Sequence, residues 1–128
     1  MKMNYEVKTD KSFEIAVEDL KKNLSNNGFG VLWELNFKDK LKEKKLDFDK
    51  NFKVLEVCDP KQAKDILEKN IEAGYFLPCK MVVYENNDSV FMGMTKPTSL
   101  IEMLGDKELS STAKELEDKL ISAMDGAK

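Results

Sequence analysis

Apolar positions along this chain switch between a two-residue and a three-to-four-residue period. Residues 2–8 alternate and place Met3, Tyr5 and Val7 on one face of a half-buried strand. From Ser12, a suitable N-cap, the period changes. Phe13, Ala16, Val17, Leu20 and Leu24 predict a helix to about Asn27, with Gly28 as its left-handed cap. Gly28 to Phe37 reads as a strand with Phe29, Val31, Trp33, Leu35 and Phe37 on one face and Leu32, Glu34 and Asn36 on the other; Trp33 is assigned to the core. A lysine-rich short helix is expected over Lys38–Lys45 and a third strand over Phe52–Cys58.

Asp59-Pro60-Lys61-Gln62 is a helix start, with Asp at the N-cap, Pro at N1 and Gln at N3. That helix is expected to turn Ala63, Ile66, Leu67 and Ile71 inward and to stop at Gly74. Lys80–Tyr84 and Val90–Thr95 form a hairpin through the polar turn Asn86-Asn87-Asp88. Lys96-Pro97 breaks the sheet, and Thr98–Leu104 has room for a short helical turn. A final helix over about Glu108–Met124 carries Leu109, Ala113, Leu116, Leu120 and Met124 as its buried stripe. The order is β-α-β-(α)-β-α-β-β-α. It predicts a single α+β domain over 1–128: a mainly antiparallel sheet of about five strands with helices packed on one face.

Composition narrows the chemistry. The 128 residues contain no His, and all 21 basic residues are Lys. Without His, the Ser-His-Asp and Cys-His catalytic arrangements are excluded within one chain, and two thiolates alone leave a tetrahedral zinc shell half empty. Without Arg there is no bidentate fork for guanine or phosphate, and the net charge of −3 disfavours binding to a polyanion; no nucleic-acid partner is expected. No glycine-rich phosphate cradle or Asp-x-Asp-x-Asp-Gly loop is present, so no cofactor or metal is expected. The N-terminal residues form no apolar run, and no stretch approaches the ~20 apolar residues of a membrane span. The expected location is the cytoplasm, without membrane contact, where Cys58 and Cys79 are free thiols.

Gly28-Phe29-Gly30-Val31-Leu32 leading into Glu34, Cys58-Asp59-Pro60 with Ala63, and Leu77-Pro78-Cys79 before Met81-Val82-Val83-Tyr84 are similar, in this order, to the Domain of Unknown Function family 302. The resemblance covers nearly the whole chain. It implies a TATA-binding-protein-like sheet and a homodimer. It carries over no catalytic residue, because the family has no established activity. Two positions depart from the family pattern: Asn36 replaces a frequent Asp, which weakens any acid–base role there, and Asp59 replaces a frequent Asn, which keeps the N-cap.

Three strands carry apolar residues on both faces, so the face away from the helices needs a cover: part of this chain, a second copy, or a small apolar ligand. Glu34, Asn36, Glu56, Cys58 and Cys79, with Met92 and Met94 as an apolar wall, form a candidate pocket if their strand faces coincide. Residue by residue, the plainer readings are buried thiols, exposed strand carboxylates and core methionines. The function expected is a homodimeric ligand-binding or interaction module rather than a conventional enzyme. The alternatives are a thiol-redox protein using Cys58 and Cys79, or a purely structural partner-binding subunit.

Overall fold

The computed structural model describes residues 2–128. The chain runs β1 (Asn4–Thr9), α1 (Phe13–Asn26), β2 (Gly30–Asn36), α2 (Phe37–Glu43), β3 (Phe52–Cys58), α3 (Pro60–Lys69), a 3-10 turn (Ile71–Tyr75), β4 (Cys79–Asn86), β5 (Ser89–Thr95), α4 (Pro97–Leu104), a second 3-10 turn (Lys107–Leu109) and α5 (Ser110–Ala127). The five strands form one antiparallel sheet in the order β1-β5-β4-β3-β2. This is the expected α+β architecture. No helix among the described residues is long and apolar enough to cross a membrane.

Local chemistry sets the boundaries. The Ser12 hydroxyl accepts from the Ile15 N–H at 3.3 Å and opens α1. Gly28, at φ +88°, closes it in the left-handed region. The Asp59 carboxylate accepts from the N–H groups of Lys61 and Gln62 at the start of α3, and Pro60 occupies the first helical position, where no donor is needed. The β4–β5 hairpin turns through Asn87 and Asp88, both at positive φ, as a two-residue turn requires.

Register divides the sheet into two unlike faces. Val7, Leu55, Val57, Met81, Val83, Val90, Met92 and Met94 point to one side and join α1, α5, Ile66 of α3 and Ile101 of α4 in the main core. The alternate residues form a free face. On it, the rings of Phe37, Phe52, Tyr84 and Phe91 run in a row across the sheet with centroids 5.3–5.7 Å apart. Val54 is buried on this free face, outside the helix-side core, between its cross-strand neighbours Leu35 and Val82. Only α2 leans on this side, through Phe37 edge-on to Phe52.

Three expectations are corrected. Strand β2 does not keep one face from Val31 to Phe37, because its register with β3 slips between Val31 and Trp33. That bulge leaves Val31 against the core but turns Trp33 to the free face, where it is 49% exposed rather than in the core, with Leu32 at 62%. Ile71 is not turned inward. Helix α3 ends at Lys69, Asn70 becomes extended, and its side chain caps a separate 3-10 turn through Glu72 N–H at 3.0 Å; Ile71 is left 75% exposed. The segment after Pro97 is a helix of eight residues, ended by Gly105 at φ +79°.

Candidate functional site

An apolar concavity lies at the end of the sheet where β4 begins. The segment Tyr75–Pro78 crosses there between α3 and β4, and α4 and α5 close the opposite side. The space measures about 330 Å³. Its wall is apolar: Ile66 of α3, Ala73 of the 3-10 turn, Phe76 of the crossing segment, Leu100 and Ile101 of α4, and Ala113 and Leu116 of α5. Cys79 lies on the cavity side of β4, and Glu56, Lys80 and Thr95 border the rim from the strand positions of the free face. Ala73 and Ala113, almost fully buried and small, make the room. The Leu77–Pro78 bond in this wall is cis.

The wall is pinned from outside. Glu117 of α5, only 5% exposed, accepts from the Thr98 N–H at 3.1 Å and the Thr98 hydroxyl at 2.6 Å. It thereby caps α4, whose own N-cap position, Lys96, has no side-chain acceptor. Asn70 donates to Asp106 at 3.0 Å and ties the crossing segment to the α4–α5 connection.

The candidate residues read from the sequence are divided by the register. Cys79 borders the cavity from the helix-side face of β4, whereas Glu56 reaches only its rim, because its side chain belongs to the free face. Cys58 lies beside it but on the free face, since it follows Val57, which pairs with Cys79. Glu34 and Asn36 stand at the far edge on β2 and do not reach it. Glu34 bridges Lys21 at 2.6 Å and Lys53 at 3.1 Å, and Asn36 accepts from the Asp39 N–H at 3.2 Å to cap α2. Met92 and Met94 are buried in the helix-side core and form no wall of the cavity. The faces of β2, β3 and β4 do not coincide in the way a single seven-residue pocket requires.

Electrostatics follow the same division. Burial alone would raise the Glu34 carboxyl; the ammonium groups of Lys21 and Lys53 outweigh it and hold the group below its ordinary value. Burial, and then the neighbouring Cys58, push the Cys79 thiol up to about 12. Burial raises Cys58 as well, with Asp59 adding to it. The dipole of α3 does not overcome these effects, so neither cysteine sits in the electropositive setting of a reactive thiol. Both are unpaired. Among the described residues, no cluster of three or more His, Cys, Asp or Glu is placed to hold a metal.

Most of the wall escaped sequence reasoning. Ile66, Leu109, Ala113 and Leu116 carry the helical period of ordinary core residues, and nothing in the period distinguishes a core position from a cavity wall. The legible signal was the Leu77-Pro78-Cys79 turn, which brings the chain across the end of the sheet.

No functionally curated protein matches this chain. A crystal structure of an uncharacterized conserved protein DUF302 from Bacillus stearothermophilus superposes with a TM-score of 0.96 at 39% identity, covering 100% of both chains. A family model described as Domain of unknown function DUF302 matches residues 5–127. With agreement of sequence and fold over essentially its whole length, the chain belongs to the DUF302 family.

Proposed function

We propose that this domain is a small-molecule binding module whose site is the cavity between α4, α5 and the start of β4. The observation that carries the reading is the cavity itself. At about 330 Å³, with an apolar wall and a few polar groups at one side, it has the size and lining of a small-ligand site. Its apolar part favours an apolar body. The neutral Cys79 thiol adds no charge to the lining.

Native mass spectrometry of the protein purified under reducing conditions, set against its denatured mass, tests this directly. Extra mass released on denaturation supports the reading. Titration with toluene, followed through the methyl resonances of Ile101 and Leu116, is the companion measurement. Absence of both extra mass and toluene shifts at those methyls refutes it.

The free sheet face favours a second role for the same module, self-association. Leu35, Phe52, Val82, Tyr84 and Phe91 form an apolar strip there, and Trp33 and Leu32 extend it to the β2 edge. An isologous pairing of two such faces covers both at once. Trp33 is the sole tryptophan of the chain. Its fluorescence should therefore shift to the blue as concentration rises, together with a dimeric sedimentation coefficient; Trp33→Asp should leave a folded monomer. A monomer at millimolar concentration ends this part of the proposal. A thiol-redox role draws no support, because the two cysteines face opposite sides of the sheet and both thiols are raised.

A further inference from the structure

The strand register leaves the cavity wall without a charged side chain. Glu56, Lys80 and Thr95 border the rim from the free face. Behind the rim, Ile66, Ile101, Leu109 and Leu116 line the space together with the two small residues Ala73 and Ala113. Glu117, the buried carboxylate of α5, is taken up by the Thr98 N–H and hydroxyl at the start of α4. Cys79 contributes a thiol, which behaves as a small apolar group with a weak donor. A charged group moved from water onto this wall would lose its hydration and meet no counter-charge there. The volume sets a size. A cavity of about 150 Å³ holds benzene; this one, at about 330 Å³, has room for about twice as much. Tyr75 stands at the mouth. It belongs to the lining, yet at 87% it is the most exposed of the large apolar residues described. Its ring is left with apolar surface that an occupant of the cavity would cover.

We infer that the occupant is an uncharged apolar molecule of two-ring size, held under the Tyr75 ring at the mouth. The inference rests on the binding reading above and adds the charge, the size and the covering residue to it. An anion or a cation of the same body pays for its lost hydration on a wall that offers neither sign in return. A one-ring molecule leaves part of the space to water, which finds few partners along Ile101, Ala113 and Leu116. A second ring replaces that water with close contacts. Tyr75 then covers the occupant from the solvent side, so that apolar surface of both is removed from water. Selectivity arises by charge from the wall and by size from the room that Ala73 and Ala113 leave.

The test is equilibrium dialysis, read by absorbance, with four probes: naphthalene, 2-naphthoate, 2-naphthylmethylamine and toluene. Naphthalene should bind at least tenfold more tightly than each of the other three and give intermolecular NOEs to Ile101 and Leu116. Tyr75→Ala, a change at an exposed position that leaves the core intact, should weaken naphthalene about fivefold, and Tyr75→Phe should restore the parent affinity. Equal or tighter binding of 2-naphthoate or of 2-naphthylmethylamine would overturn the assignment of an uncharged occupant. Equal or tighter binding of toluene would overturn the size, and an unchanged affinity in Tyr75→Ala would overturn the cover. In each of these cases, probe NOEs to Ile101 and Leu116 leave the cavity reading standing. Naphthalene that gives its NOEs to Leu35 and Val82 on the free face, or no binding by any probe, defeats both.

Discussion

Removing the Glu117 carboxylate should loosen one wall of the cavity by an amount the structure allows to be worked out. The group is nearly buried and receives two donors from Thr98, one of them a backbone N–H at the start of α4. Hydrogen bonds to a charged partner contribute about 1.5–3 kcal/mol each. In Glu117→Ala the Thr98 hydroxyl rotates toward solvent and recovers part of its share, and the cost of burying a carboxylate disappears. The backbone N–H keeps its full loss. Lys114, with its ammonium 3.9 Å from the other carboxylate oxygen and largely exposed, adds little. The balance is a destabilisation of about 3 kcal/mol, a large share of the ~5–15 kcal/mol of an ordinary domain, and a fall in Tm of about 10 °C. Glu117→Gln keeps an acceptor in place and should cost about 1 kcal/mol. Urea unfolding followed by circular dichroism reads both, with an unchanged slope showing that the unfolded state is not what moved. Hydrogen exchange should show the loss of protection concentrated at Thr98 and the first turn of α4. An alanine variant within 0.5 kcal/mol of the parent, or a glutamine variant as unstable as the alanine one, would refute the reasoning.

The other predictions concern titration and reactivity. Iodoacetamide at pH 8 should label Cys58 slowly and Cys79 more slowly still in the folded protein, with both reacting at once in urea, because burial raises both thiols and Cys79 reaches about 12; native labelling of Cys79 at its unfolded rate would contradict this. Tyr84, raised to about 12 by burial first and then by its hydrogen bond to Glu6, should ionise late in an absorbance titration, and Glu6→Gln should lower its pKa without restoring the ordinary value. Since the folded pKa lies above the unfolded one, the folded state holds its proton longer, so this contribution to stability is complete below pH ~10 and disappears as pH climbs toward 12. Glu34 has the opposite sign: its folded pKa is depressed, so its contribution is present above the unfolded carboxylate range and is lost as pH falls through the lower folded value. Glu34→Gln should remove that acid dependence at a cost of about 0.5–1 kcal/mol at pH 7, since the group is about a third exposed.

What the sequence made legible follows from which interactions are local. Caps are local: Ser12, Asp59 and Gly28 each act on neighbours within a few residues, and each was readable from residue type and position. The hairpin through Asn87-Asp88 is local for the same reason. The bulge in β2 is not. Whether Trp33 follows Val31 onto the core face depends on where β3 takes up the ladder, and the alternation Phe29, Val31, Trp33, Leu35 contains no mark of a slip. Convergence of polar groups is less local still. Glu34 and Glu56 both carry carboxylates on strands, yet one settles between two lysines against α1 while the other stands on the free face opposite Lys80, because the slipped register puts them on opposite faces. Asn36 shows how a polar side chain with a suggestive neighbourhood can be fully spent on a helix cap.

The placement of the cavity follows from the interruption at Asn70. Had α3 continued, Ile71 would have carried its apolar stripe onward, and a straight helix would have packed along the sheet. Asn70 instead becomes extended, caps a new turn and sends the chain across the sheet end to Cys79, while Pro97 starts α4 on the other side of the same gap. Two alanines face the space so formed where larger residues would have filled it. Water entering the open mouth finds no partners along Ile101, Ala113 and Leu116. On the reading proposed above, an apolar body seated there would replace water that has few partners with close contacts.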